Sequence, residues 1–195
     1  MNLKTEKRLS GDSRTVNKSS SYFTVNRIAL LSVMTALVTV GRLTLSLPIL
    51  PNIQPMTALL ILIALNLGVI DSLVVSVLSL LLTNLFLGMG PWTILQMISF
   101  AVVILLTGII KYFYRYESFI NRIVFSFWAG LMGFGYGLII SYLNFQLYGM
   151  NNFLVYYING LPFDILHAVG NVGFFLILEP IIVPIMKNKF EELFI

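Results

Sequence analysis

Residues 56–110 have the sequence MTALLILIALNLGVIDSLVVSVLSLLLTNLFLGMGPWTILQMISFAVVILLTGII, in which Asp71 is the single charged side chain. A membrane-spanning helix needs about 20 mostly apolar residues, so this stretch is long enough for more than one crossing. Gly68 predicts a tight turn between two short helices within residues 56–87. The turn at residues 88–91 then starts another helix at 92–110, because proline is well tolerated in a first helical turn.

The composition of the whole chain indicates an integral membrane protein. Hydrophobic residues make up 58% and charged residues 10% of the sequence, whereas soluble domains carry about 25% charged residues. The net charge of +4 does not indicate nucleic-acid binding, because the basic residues flank apolar spans, where anionic lipids explain them. The sequence has no cysteine, so disulfides and thiolate metal sites are excluded.

Three further apolar segments complete the predicted bundle. The first span covers residues 27–47 and ends at the prolines of residues 48–55, which lack amide donors. The fifth covers 123–147 and the sixth 162–186, with a polar loop rich in glycine and asparagine between them. We therefore predict an all-α integral membrane protein, a compact bundle of six transmembrane helices.

The basic residues predict how this bundle is oriented. We place both termini in the cytoplasm, with a basic tail at 1–26, the membrane domain at 27–187 and a short tail at 188–195. Because cytoplasmic segments carry an excess of lysine and arginine, the opposite orientation is disfavoured. Arg42 is then the one outer cation. The eleven inner cations are Lys4, Lys7, Arg8, Arg14, Lys18, Arg27, Lys111, Arg115, Arg122, Lys187 and Lys189.

Two of the predicted helices carry small residues at spacings of three and four, which places each set on one helix face. Such faces allow backbones to approach closely in lipid. We predict that the stripe in the fifth span packs inside the bundle, whereas the stripe in the first span fits internal packing and docking of a partner helix equally. The residues are Ser126, Gly130, Gly133, Gly137 and Ser141 in the fifth span, and Ala29, Ser32, Ala36 and Thr39 in the first.

Polar and aromatic side chains concentrate in the half of the bundle away from the basic clusters. Polar groups in a membrane are unfavourable unless they are partnered or face a cavity, so we predict a binding pocket that opens outward. Alternatively, tryptophan and tyrosine form an interfacial belt, Arg42 anchors to lipid headgroups, and Asp164 lies favourably in a first helical turn. The candidate substrate-binding residues are Arg42, Asn52, Gln54, Asn84, Trp92, Gln96, Tyr156, Asp164, His167 and Asn171.

The sequence offers few groups for catalysis. Asp164 and His167 share a helix face, which leaves an intramembrane enzyme with an acid–base pair as an alternative. With one histidine and no cysteine, no metal site is predicted. No GxxxxGK[ST] loop is present, so this chain is not expected to hydrolyse ATP.

Several features together resemble one transporter family. They are six spans in 195 residues, cytoplasmic termini, the stripe of Ala29, Ser32 and Ala36, and the stretches PNIQP (51–55) and NLFLGMGPWTILQM (84–97). Apart from its N-terminal tail, the chain resembles the substrate-binding membrane subunit (S component) of energy-coupling-factor vitamin transporters. The alanine pair that marks the first helix of that family is replaced here, since Ala29 is followed by Val33 and the nearest match is Ser32 with Ala36.

The resemblance implies a non-catalytic vitamin-binding subunit in a bacterial cell membrane. Such subunits capture substrate outside and dock on a coupling membrane protein with two ABC-type ATPases, so Ala29, Ser32 and Ala36 are the expected docking residues. ATP and Mg²⁺ would be used by those ATPases, and no cofactor is expected on this chain.

The substrate suggested by the resemblance is cobalamin. The stretch GMGPWT (88–93) with Gln96 looks most like the cobalamin-specific branch, and a corrinoid offers amides for Asn and Gln and a flat face for Trp and Tyr. Pantothenate or another small carboxylate, with Arg42 as its ion-pair partner, is an alternative. Riboflavin and queuosine precursors are further alternatives.

Overall fold

The computed structural model describes residues 24–45 and 52–189, which fold entirely as helices and connecting turns. The predicted all-α fold is therefore confirmed within these ranges, whereas most of both predicted tails and Pro48 and Pro51 lie outside them. The α-helices are α1 (Val25–Leu45), α2 (Met56–Asn66), α3 (Val69–Leu87), α4 (Trp92–Ile110), α5 (Phe119–Tyr148) and α6 (Phe153–Lys189), with a short 3₁₀ helix at Lys111–Phe113.

Five of these helices are long and apolar enough to cross a membrane, and α2 is not. The 11 residues of α2 rise by about 16 Å, roughly half of a hydrocarbon core about 30 Å thick. The prediction of six membrane-spanning helices is thus wrong for this element. Every residue of α2 before Asn66 is buried, so α2 is a central helix surrounded by the other five.

The non-helical segment before α2 explains why that helix is short. A methyl group placed on Gly41 would lie 2.6 Å from Cγ of Pro55, and one on Gly170 would lie 3.3 Å from Cγ2 of Ile53. The chain therefore enters the bundle between α1 and α6 before α2 begins. This entry places Thr57, at the start of α2, beside the middle of α6.

Helices α5 and α6 are longer than predicted. Helix α5 starts at Phe119 because Ser118 caps it. The Ser118 hydroxyl accepts a hydrogen bond from the backbone N–H of Asn121 at 3.3 Å. It ends at Gly149, whose φ of 59° is the left-handed geometry that closes a helix. Helix α6 then starts at Phe153, not at residue 162, and continues through Pro162, Pro180 and Pro184. The predicted polar loop is reduced to residues 149–152.

The small residues of α5 pack against α6, as predicted. Side chains at Gly130 or Gly133 would meet the backbone of Ala168, and a side chain at Gly137 would overlap the Asp164 carboxylate. Each glycine thus lets the two backbones approach closely. This packing brings Asp164 into the protein interior.

Two buried ion pairs mark what we call the basic end of the bundle, where α1 begins and α6 ends. Arg27 pairs with Asp71 and Arg122 with Glu179, each at 2.5 Å, and both carboxylates are fully buried. The Tyr114 hydroxyl also donates to Glu179 at 3.0 Å. Burial, together with the Glu179 charge, raises the pKa of the Tyr114 hydroxyl, so it remains a donor.

Candidate functional site

A polar cluster draws its side chains from all six helices, beginning with Arg42 of α1. Its side chain is 7% exposed and donates from Nη1 to the Thr83 hydroxyl of α3 at 2.6 Å. Because a headgroup anchor must reach the membrane surface, this buried position excludes the lipid-anchor alternative for Arg42.

The amides of α3 and α4 form the next part of the cluster. The Asn84 amide nitrogen donates to the Thr93 hydroxyl at 3.0 Å and to Oε1 of Gln96 at 2.8 Å. Because Thr93 and Gln96 are three apart on α4, they face Asn84 together. These bonds fix the side chains of both helices.

His167 of α6 lies against α2 and α5. Its Nε2 is 2.9 Å from the Thr57 hydroxyl, and its ring meets Tyr136 edge-on with centroids 5.4 Å apart. Tyr136 also contacts Phe100, with centroids 4.4 Å apart. Tyr136 therefore links α4, α5 and α6 at the centre of the cluster.

Asp164 and Asn171, one turn either side of His167, supply polar atoms of a different kind. Both side chains are buried. Within residues 24–45 and 52–189, Oδ2 of Asp164 and both amide atoms of Asn171 have no hydrogen-bond partner. Thr39 Oγ1 and Asn144 Oδ1 are unpartnered in the same ranges. Since buried polar atoms are normally paired, the three atoms of Asp164 and Asn171 are available to a molecule bound at the cluster.

Six of the ten predicted binding residues belong to this cluster by their burial or their hydrogen bonds, and the other four are exposed or partly exposed. Asn52 and Trp92 are exposed, with Asn52 in a turn at φ 64° and Trp92 folded over Gly90. Gln54 and Tyr156 are partly exposed. The six residues that belong to the cluster are Arg42, Asn84, Gln96, Asp164, His167 and Asn171.

Sequence reasoning missed four residues of the cluster: Thr57, Thr83, Thr93 and Tyr136. Tyr136 carried a usable signal, since it lies in the middle of its span, whereas membrane tyrosines usually lie at the interfaces. The three threonines carried no such signal. A threonine hydroxyl can bond the carbonyl four residues earlier in its own helix, so its presence in a span does not indicate a partner.

The predicted docking residues Ala29, Ser32 and Ala36 are all exposed on α1. The Ser32 hydroxyl donates to the Ile28 carbonyl at 2.8 Å, so this face offers a small and largely apolar surface. Thr39, predicted on the same stripe, is buried and belongs to the opposite side. The exposed stripe is thus shorter than predicted.

Comparison with known families decides the class of protein. A family model described as the ECF transporter, substrate-specific component, matches residues 26–179. The chain belongs to this family. No curated protein and no solved structure matches it. The sequence resemblance is therefore confirmed at the level of the family.

As an S component with five membrane-long helices, the chain is a multi-pass membrane protein and a transporter subunit. In this family the substrate-specific component works with a coupling transmembrane protein and ATPases. Substrate binding is then the function that the family assigns to the chain. The residues of the polar cluster suit that role, because they combine one cation, one carboxylate and several amides and hydroxyls around an aromatic centre.

Proposed function

We propose that this S component captures a micronutrient at the polar cluster and delivers it inward when it docks on its coupling module. The observation that carries the proposal is the set of unpartnered atoms on Asp164 and Asn171. Leaving polar atoms unpaired in a membrane protein is unfavourable. A substrate that pairs with them recovers that free energy, which supports high affinity.

The basic end is proposed to face the cytoplasm of a bacterial cell. Arg27, Lys111, Arg122 and Lys187 belong to this end by their contacts, and cytoplasmic segments of membrane proteins are rich in such residues. Substrate would then enter from the opposite side, past the turns at 88–91 and 149–152.

Docking is proposed to use the exposed stripe of Ala29, Ser32 and Ala36. Small side chains permit close contact with a helix of the coupling protein. Two ABC-type ATPases would supply the energy with ATP and Mg²⁺. Replacing Ala36 with tryptophan should leave substrate binding intact and abolish uptake, whereas the same change at the exposed Ile94 of α4 should preserve both.

Cobalamin or another corrinoid is the first proposed substrate. The amides of Asn84, Gln96 and Asn171 match the side-chain amides of a corrinoid, and Tyr136 offers an aromatic face. This proposal also rests on the stretch at 88–93, which looks like the cobalamin-specific branch.

A small carboxylate such as pantothenate is the second proposed substrate, because Arg42 is buried inside the cluster. An arginine in a low-dielectric site favours a carboxylate partner strongly, since its fork can form two parallel hydrogen bonds. Riboflavin, by contrast, offers no carboxylate for such a pair.

The test is a binding screen on the purified full chain without ATP. Calorimetry with cobalamin, cobinamide, pantothenate and riboflavin should give one tight ligand. Binding of cobalamin and cobinamide supports the first proposal, and binding of pantothenate alone replaces it with the second. If none of these compounds or a wider vitamin panel binds, the assignment of the cluster as a substrate site is wrong.

A further inference from the structure

A cleft separate from the polar cluster opens at the basic end. It has a volume of about 490 Å³ and lies between the loop that precedes α5 and the end of α6. Nothing in substrate capture at the polar cluster requires it. We call it the basic cleft, and the residues that line it are Tyr114, Arg115, Tyr116, Glu117, Ser118 and Lys187.

The loop that forms the basic cleft is held in place by specific contacts. Oδ1 of Asn121 accepts from the Arg115 amide at 2.7 Å, and Nδ2 of Asn121 donates to the Phe113 carbonyl at 2.9 Å. The Tyr114 ring packs edge-on against Phe125, with centroids 5.0 Å apart. The cleft is therefore formed before any ligand arrives, which lowers the entropy lost on binding.

The charges of the basic cleft favour an anion. Arg115 and Lys187 contribute two cations against the one carboxylate of Glu117. The Lys187 ammonium lies 4.9 Å from the centre of the Tyr116 ring, which holds it over the cleft wall. Arginine and lysine together bind phosphate well, the arginine through paired hydrogen bonds and the lysine as a point charge.

Apolar side chains on both sides of the loop set the depth of the cleft in the membrane. Tyr112 and Phe113 precede it, Phe119 and Ile120 follow it, and each is at least two-thirds exposed. Exposed aromatic and aliphatic groups at the end of a membrane helix lie in the lipid interface. We therefore expect the basic cleft between them to open at the level of the lipid headgroups.

We propose that the basic cleft binds the phosphate-bearing headgroup of an anionic membrane lipid. Arg115 and Lys187 contact the phosphate, and the rings of Tyr114 and Tyr116 face the less polar part of the lipid. Basic side chains near a membrane surface attract anionic lipids, each contributing about fivefold in affinity. The proposal is independent of the substrate and of the polar cluster.

Native mass spectrometry of the full chain in detergent, titrated with phosphatidylglycerol or phosphatidylcholine, tests this proposal. Phosphatidylglycerol should bind first and more tightly. The substitutions Arg115→Gln and Lys187→Gln should each weaken it about fivefold. Lys111→Gln, an equal change of charge at the same end but outside the cleft lining, should not weaken it. Glu117→Gln should tighten the binding of phosphatidylglycerol. This variant keeps the test informative if Arg115→Gln or Lys187→Gln fails to fold.

Three results would overturn the proposal. The first is equal binding of the two lipids. The second is an equal loss in Lys111→Gln and Arg115→Gln, which would indicate attraction by overall charge without a site. The third is displacement of phosphatidylglycerol by inorganic phosphate at the same concentration, which would assign the basic cleft to a soluble anion.

Discussion

The basic end and the polar cluster use buried polar groups in opposite ways. At the basic end, Asp71 and Glu179 each face a guanidinium at 2.5 Å, so their charges are neutralised within the protein. In the polar cluster, Asp164 is also buried but one of its oxygens has no partner in the part of the chain that the structure describes, and the same holds for the amide of Asn171.

This difference separates stability from recognition. An ion pair between α1 and α3, or between α5 and α6, stabilises the packing of those helices. Because its charges are already paired, a ligand gains little binding free energy from them. Unpartnered buried atoms lower the stability of the ligand-free protein. They also raise the affinity for a molecule that forms hydrogen bonds with them. We therefore expect substitutions at the two regions to have opposite effects on stability and affinity.

The largest expected loss of stability is at Glu179. Replacing it with leucine removes the partner of Arg122 and the acceptor of Tyr114, which should lower the free energy of unfolding by about 3 kcal/mol or more. Denaturant unfolding in detergent micelles measures this. The double variant Glu179→Leu with Arg122→Leu should recover most of the loss, because no unpaired charge remains buried. Equal instability of single and double variants would argue against the ion pair as the cause.

A smaller effect is expected at Gly137, which contacts Asp164. An alanine there would overlap the Asp164 carboxylate, so stability should fall by about 1–3 kcal/mol, and substrate affinity should fall with it. Gly160 of α6 is the matched control, because a methyl group there meets no atom within 4 Å. Thermal unfolding and calorimetry check the two effects. An alanine at Gly137 that alters stability but not affinity would separate Asp164 from the binding site.

The smallest of the three stability effects is expected at Thr57. Valine there removes the hydroxyl that contacts His167 and leaves the imidazole unpaired. The free energy of unfolding should fall by about 1–2 kcal/mol. Thr35→Val is the control, because the Thr35 hydroxyl bonds the Leu31 carbonyl of its own helix, so its removal should change stability by less than about 0.5 kcal/mol. Equal effects on unfolding would show that the Thr57 contact with His167 adds nothing.

Apolar runs, together with the glycine and proline residues at helix ends, predicted most of the fold. The helix at residues 92–110 was predicted to the residue, because the turn before it and the basic segment after it are both explicit. The length of α6 was missed because Pro162 looked like a start, although membrane helices tolerate proline where neighbours pair the freed carbonyl. Helix α2 was predicted to span the membrane, although it is too short to do so. Composition cannot distinguish an apolar helix buried in protein from one that lies in lipid.

The candidate site was predictable where a residue type is rare in membranes. Arg42, Asp164 and His167 stand out for that reason, and all three lie in the cluster. Trp92 stays a prediction, because an exposed aromatic residue at a helix end fits an interface anchor as well as a ligand contact. The link through Tyr136 depends on the rotation of α5 against α4 and α6, which follows from packing of the glycine stripe and not from spacing alone.

The most direct test of the account is the affinity of the ligand found by the screen for two asparagine variants. Asn171→Ala removes unpartnered amide atoms from the polar cluster, whereas Asn66→Ala removes an amide that bonds the Leu62 carbonyl of α2. Calorimetry should show at least about a tenfold loss for Asn171→Ala with no loss of stability, and unchanged affinity for Asn66→Ala. Unchanged affinity in Asn171→Ala, or an equal loss in both variants, would contradict the assignment of the polar cluster as the substrate site.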